Sequence, residues 1–136
     1  MIAAPRILIV EDASGITCVL GDLLRSEGYE VVCADNGLEG QRLATTEKFD
    51  LVVLDVALPG LSGLGVAASL HNHGFEGKIV ILSARGQAAD KLAAREAGAD
   101  CYIVKPFHPE ELLEAFKGLL SGSVSLPPSV VVLNIP

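Results

Sequence analysis

Apolar residues gather in five short blocks along the chain: Ile7-Leu8-Ile9-Val10, Val31-Val32-Cys33-Ala34, Leu51-Val52-Val53-Leu54, Ile79-Val80-Ile81-Leu82 and Tyr102-Ile103-Val104. Each is rich in Val and Ile and apolar at consecutive positions, not at alternate ones. Strands covered on both faces, as in a parallel sheet, have this signature. Between the blocks the spacing becomes helical. Ile16, Val19, Leu20, Leu23 and Leu24 recur at the three- and four-residue steps of one helix stripe, and Leu112, Leu113, Phe116, Leu119 and Leu120 form a second. Residues 38–47 and 64–73 carry partial stripes. Residues 87–97 are rich in Ala and poor in large apolar side chains, which predicts the least anchored and most mobile helix of the set. Gly28 and Gly98 stand where helices should end, and His108-Pro109-Glu110-Glu111 places proline and acid in the first turn of the last helix.

The order is strand then helix, five times. Such alternation implies parallel strands, right-handed crossovers and helices on both faces. Five strands cannot close the eight-stranded barrel. The expected fold is therefore α/β, a doubly wound (βα)5 unit with a five-stranded parallel sheet in the order 2-1-3-4-5. We assign residues 6–120 to this domain and 121–136 to a C-terminal linker or tail. Residues 121–128 have the Ser, Gly and Pro content of a linker, and the final eight are apolar for a free end. The preferred reading of the tail is a stub leading to a further domain. The alternatives are a disordered end, or a strand added to a sheet edge in the same chain or a second copy.

Composition narrows the class. A chain of 136 residues favours one domain. Half of the residues are hydrophobic and a fifth charged, which excludes disorder. No apolar run approaches the roughly 18 residues of a membrane span, and no secretory leader is expected. Ten Lys and Arg against seventeen Asp and Glu give a net charge of −7, which argues against direct binding of nucleic acid. Cys18, Cys33 and Cys101 lie in apolar stretches with no metal-ligand spacing, and read as reduced, buried residues of a cytoplasmic protein. His71, His73 and His108 read as solvated surface residues.

Candidate chemistry comes from the strand ends, which a parallel sheet delivers to one edge, where ligands bind. The first strand ends in Glu11-Asp12, the third in Asp55, the fourth in Ser83 and the fifth in Lys105. The second ends in Asp35-Asn36-Gly37, but it lies at the sheet edge and is left out of the predicted site. Each of these residues has an ordinary structural use. Acidic residues after strands cap helices and turns, serine caps helices, and a lysine is most often solvated. Their joint arrival at one edge is what calls for chemistry. Carboxylates about 4 Å apart repel by on the order of 4 kcal/mol per pair at an effective dielectric near 20. One lysine does not offset three, so either a proton is retained or a cation is recruited, and a hard divalent ion with oxygen ligands, such as Mg²⁺, costs less near neutral pH. Carboxylates, a cation, an ammonium and a hydroxyl converging on one point describe a phosphoryl-transfer site.

Val10-Glu11-Asp12, the segment from Leu54-Asp55 through Leu58-Pro59-Gly60 to Gly63, Ser83-Ala84 and Lys105-Pro106-Phe107 together resemble the receiver (CheY-like) domain of bacterial two-component response regulators. The resemblance implies a flavodoxin-like fold and a signalling role in a phosphorelay, not an enzyme beyond Mg²⁺-dependent self-phosphorylation and self-dephosphorylation on Asp55. It implies Asp55 as the phosphoacceptor, becoming 4-aspartylphosphate. Glu11, Asp12, Asp55 and the carbonyl of Ala57 are implied as the Mg²⁺ set. Lys105 is implied as the neutralising cation, Ser83 as the switch hydroxyl, Tyr102 as the switch aromatic, and the Lys105–Pro106 bond as cis. Implied partners are a sensor histidine kinase or a histidine phosphotransfer protein, a downstream protein target or output domain, and a second copy of the chain.

The sequence departs from the family's common pattern at Glu11, Ala13, Ala57 and Ser62. Three rival readings meet obstacles in the sequence. A phosphorylation-independent receiver-like interaction module would leave Ser83, Tyr102, Lys105 and the acids free to drift. An aspartyl phosphohydrolase usually has a second Asp where Ala57 stands. A flavodoxin-type cofactor carrier needs aromatic residues to sandwich a ring, and this chain has no Trp, two Tyr and four Phe.

Overall fold

The computed structural model describes residues 4–12, 14–122 and 130–132, with the backbone alone at positions 14, 16, 18 and 130–132. The elements in chain order are β1 (Arg6–Val10), α1 (Ser14–Ser26), β2 (Glu30–Ala34), α2 (Gly37–Thr46), β3 (Leu51–Asp55), α3 (Gly63–Asn72), β4 (Lys78–Ser83), α4 (Ala88–Glu96), β5 (Cys101–Val104), α5 (Pro109–Ser121) and β6 (Val130–Val132). The first five strands are parallel in the order 2-1-3-4-5, as the alternation implies.

The consecutive apolar positions of the strands serve two cores. Ile7, Ile9, Leu51, Val53, Val80, Leu82, Cys101 and Ile103 face α1 and α5 and pack on Leu20, Leu24, Leu112 and Phe116. Their neighbours Leu8, Val10, Val52, Leu54, Ile79, Ile81 and Tyr102 face α2, α3 and α4. A strand side chain alternates between faces, so an unbroken apolar run is what two covered faces demand. Gly28 and Gly98 both end helices with φ +92°, the left-handed conformation expected of a terminal glycine. Pro109 opens α5 after His108, and the acid of its first turn is Glu110 and Glu111.

Three sequence expectations need revision, and the tail is better defined. Val130–Val132 pairs antiparallel with β5, Tyr102 opposite Val131, so this stretch supplies an edge strand within the same chain. Three β-branched residues satisfy backbone groups that β5 would otherwise leave open at the sheet edge. The linker-like residues 123–129 and the last four residues, with Ala13, lie outside the described residues. Cys33 is exposed while Cys101 is buried. β2 is the remaining edge strand, and one of its faces is incompletely covered. Val19 of the first helical stripe is 56 % exposed, while Leu20 and Leu24 of the same helix turn fully inward. The pair Asp35 and Gly37, set aside at the sequence level, contributes to the site end of the molecule, as shown below.

Candidate functional site

The carboxyl ends of the central strands meet as the parallel topology requires. β1 lies between β2 and β3, so Glu11 leaves the sheet beside Asp55, the last residue of β3. Glu11 and Asp55 are buried, whereas Asp12 is exposed. One oxygen from each of the three carboxylates lies within 4.8 Å of the others. From β5, Lys105 reaches back across the sheet edge: its Nζ donates to Glu11 Oε2 at 3.2 Å and to Asp55 Oδ2. The backbone fixes where that lysine starts, since its amide donates to the Ser83 carbonyl at 2.8 Å, and the Lys105–Pro106 peptide is cis.

Asp55 is held at both oxygens. Its Oδ1 accepts the Ala57 amide at 2.9 Å, which folds the start of the following loop around the carboxylate. Burial alone pushes the Asp55 carboxyl up, but its hydrogen bonds with Glu11, Lys105 and the Ala57 amide outweigh burial and hold it below the ordinary carboxylate range. Burial likewise pulls the Lys105 ammonium down, and the hydrogen bond and charge of Asp55, reinforced by Glu11, more than restore it. At neutral pH the pair is therefore ionised. Among the described residues no buried side-chain nitrogen or oxygen lacks a hydrogen-bond partner.

Ser83 is buried at the end of β4, one position beyond the Asp55–Leu82 pairing. Its Oγ accepts the Arg85 amide at 3.0 Å. The Arg85 carbonyl in turn accepts the hydroxyl of Tyr102, whose ring is buried beneath α4. Arg85 is also paired through its side chain to Asp90 of α4, Nε to Oδ1 at 3.3 Å. A continuous set of contacts thus runs from the strand ends through Ser83 and Arg85 to Tyr102 and α4. Gln87, not Ser83, caps α4, so Ser83 is not spent on that use.

Two features lie outside the predicted site. Asp35 joins Glu11, Asp12, Thr17 and Glu39 around an open cavity of about 430 Å³ beside the carboxylates. Arg85 is tied to Ser83 and Tyr102 through its backbone, which no residue-type pattern reveals. On the other flank of Lys105 lies a groove of about 580 Å³, its lining almost wholly apolar, formed by Val19, Leu20, Ala84, Pro106, Phe107 and Pro109 among others.

The donor set suits a hard divalent cation. Three carboxylate oxygens converge without a His or Cys among them, and a single ammonium leaves negative charge in excess. Among the described residues no helix is long and apolar enough to cross a membrane.

The chain is similar over 119 residues, at 40 % identity, to the transcriptional regulatory protein PrrA of Mycobacterium tuberculosis, covering 88 % of this chain and 51 % of that protein. It spans about half the length of the curated relatives it matches. Among solved structures, a CheY-like response regulator receiver domain protein from Methanospirillum hungatei superposes with a TM-score of 0.83 at 32 % identity, covering 88 % of this chain and 96 % of that one. The receiver domain of the sensor histidine kinase PA1611 from Pseudomonas aeruginosa, with a magnesium ion coordinated in its active-site cleft, superposes at 0.79 and 28 % identity over 88 % of this chain and 99 % of that one. The family model for the response regulator receiver domain matches residues 7–117. With the (βα)5 sheet and the acidic strand ends, that match makes this chain a member of the response regulator receiver family, a signalling domain of two-component systems.

Proposed function

We propose that Asp55 accepts a phosphoryl group from the phosphohistidine of a sensor histidine kinase or a histidine phosphotransfer protein, in the cytoplasm. The observation that carries this is the bridge of Lys105 between Asp55 and Glu11, on a ledge that also holds Asp12. Asp55 is ionised there and so is ready to attack phosphorus. The new O–P bond forms as the P–N bond of the donor breaks, and the departing imidazole takes up a proton. Glu11, Asp12, Asp55 and the carbonyl of Ala57 would hold Mg²⁺, which supplies charge neutralisation at the transferring phosphoryl oxygens. Lys105 moves its ammonium from carboxylate to phosphoryl oxygen, with no proton transferred.

The product sets the signal. A carboxylate of charge −1 becomes a group near −2 with three acceptor oxygens. Ser83 is the nearest buried hydroxyl on the adjoining strand. Donating to the phosphoryl group turns its oxygen away from the Arg85 amide, and the Arg85 carbonyl, Tyr102 and α4 adjust in turn. The output is a shift of populations on the α4 side, read by a downstream protein, an attached output domain or a second copy. The apolar groove suits a helix of the phosphodonor, since the exposed Val19 borders it and Lys105, which pairs with Asp55, lines it.

The test is direct. Incubation with acetyl phosphate and Mg²⁺ should add one phosphoryl group by intact mass, labile to hydroxylamine. Asp55→Asn or chelation by EDTA should abolish it. An undiminished gain in Asp55→Asn would move the site elsewhere, and no gain in the wild-type chain would leave the phosphorylation-independent module as the better reading.

A further inference from the structure

The loop after Asp55 is gripped from a direction that the strand-end chemistry does not use. Gly37 opens α2 and is buried. A Cβ there would collide with the Leu61 carbonyl oxygen, 2.7 Å from the carbonyl carbon and 3.1 Å from Leu61 Cβ. Gly37 does not have a positive φ, so the demand is for space and not for an unusual backbone. Its amide donates to the Pro59 carbonyl at 3.4 Å, and Leu38 lies over Gly60.

The start of α2 is itself fixed. Asn36 Oδ1 accepts the Glu39 amide at 2.9 Å, and one turn on, a Cβ at Gly40 would sit 2.7 Å from Val10 Cγ2, immediately before Glu11. From the other side, a Cβ at Gly63 would collide with the Asp55 carbonyl, and the Gly63 amide donates to the Val56 carbonyl at 3.3 Å. Residues 56–62 are therefore clamped between α2 and the end of β3. That segment carries Ala57, whose amide orients Asp55.

We propose that Gly37 is a positioning residue for the phosphorylation site: the close approach it permits sets the loop 56–62, and through it the Ala57 backbone and the Asp55 carboxylate. The inference rests on the function proposed above and extends it to an element, the α2 N-terminus, that touches neither phosphoryl group nor cation. Groups that orient ligands from behind are worth about 10–100-fold in metal affinity. The same placement makes α2 sensitive to the state of Asp55.

The experiment uses the full chain with Gly37→Ala and Asn36→Ala. Mg²⁺ alone is titrated against backbone amide resonances, exchange of the Ala57 amide is followed without metal, and phosphorylation by acetyl phosphate is measured across Mg²⁺ concentration. Gly37→Ala should raise the half-saturating Mg²⁺ about tenfold, speed exchange at Ala57, and recover most of its rate at saturating Mg²⁺. Asn36→Ala, which loosens the same helix start without adding atoms, should move both readouts in the same direction by less. A folded Gly37→Ala with wild-type Mg²⁺ affinity and wild-type Ala57 exchange would overturn the proposal, even if its melting temperature fell. Should Gly37→Ala fail to fold, wild-type values in Asn36→Ala would overturn it equally. Failure of the wild-type chain to bind Mg²⁺ or to be phosphorylated counts instead against the proposed function, so the two are read separately.

Discussion

The helices on either side of β5 are held to the sheet in opposite ways. α5 buries Leu112, Leu113, Ala115, Phe116 and Gly118, and Phe116 is wholly inaccessible. α4 buries Ala94 and leaves Leu92 54 % exposed. Burying a large apolar side chain is worth about 1.5–3 kcal/mol, so α5 is anchored by several such increments and α4 by hardly one. What α4 has instead is polar: the Arg85–Asp90 pair, the capping of its start by Gln87 and Asp90, and the Tyr102 hydroxyl on the Arg85 carbonyl. Polar contacts can be exchanged for others at small net cost, whereas a packed aromatic cannot. One wall of the site is thus held by packing and the other by exchangeable polar contacts, which is why the proposed signal is expected on the α4 side. Lys105 stands in the connection between β5 and the well-anchored helix, and Ser83 ends β4 just before the connection to the weakly anchored one.

Substitutions should break this contrast in a definite order. Phe116→Ala should cost about 3–5 kcal/mol in denaturant unfolding, since it empties a fully buried site. A loss below 1 kcal/mol would mean that α5 is no better anchored than α4. Tyr102→Phe should cost about 0.5–1.5 kcal/mol, the net worth of one hydrogen bond. It should also leave the phosphorylation rate intact while weakening the response of α4. Leu92→Ala should fall within about 0.5 kcal/mol of wild type, as surface substitutions do.

A pH series sharpens the comparison at the site itself. The Asp55 carboxyl is depressed in the folded chain, so its contribution to stability is present above the ordinary carboxylate pKa of about 3.9 and is lost as pH falls through the depressed value. The Lys105 ammonium is raised, so its contribution holds below its ordinary value of about 10.4 and is lost as pH rises through the raised one. The stability difference between wild type and Asp55→Asn should therefore be flat through neutral pH and shift toward the variant at the two extremes, in acid as Asp55 protonates and in strong alkali as Lys105 deprotonates. A slope between pH 6 and 8 would contradict an ionised Asp55–Lys105 pair, taking the window from those ordinary values.

Much of this architecture is legible in the sequence, because parallel strands covered on both faces must be apolar without a break and must end on one edge. That rule locates Glu11, Asp12, Asp55, Ser83 and Lys105 from sequence alone, and the stripe from Leu112 to Phe116 announces α5. What is not legible depends on neighbours. Val130–Val132 has the same composition whether it pairs with β5 or leads elsewhere. Cys33 sits in an apolar run like the others, and only its place on an edge strand exposes it. Asp35 and Gly37 gain their positions from the approach of α2 to the loop after β3. The tie of Arg85 to Ser83 and Tyr102 runs through its backbone, which is the same for every residue type.

The most direct measurement is hydrogen exchange resolved by residue, on the full chain with acetyl phosphate and Mg²⁺, in wild type and Asp55→Asn. Protection should change at Arg85 and along α4 in the wild-type chain alone, while the amides around Phe116 in α5 keep theirs. Equal changes in both helices, or the same changes in Asp55→Asn, would contradict that expectation.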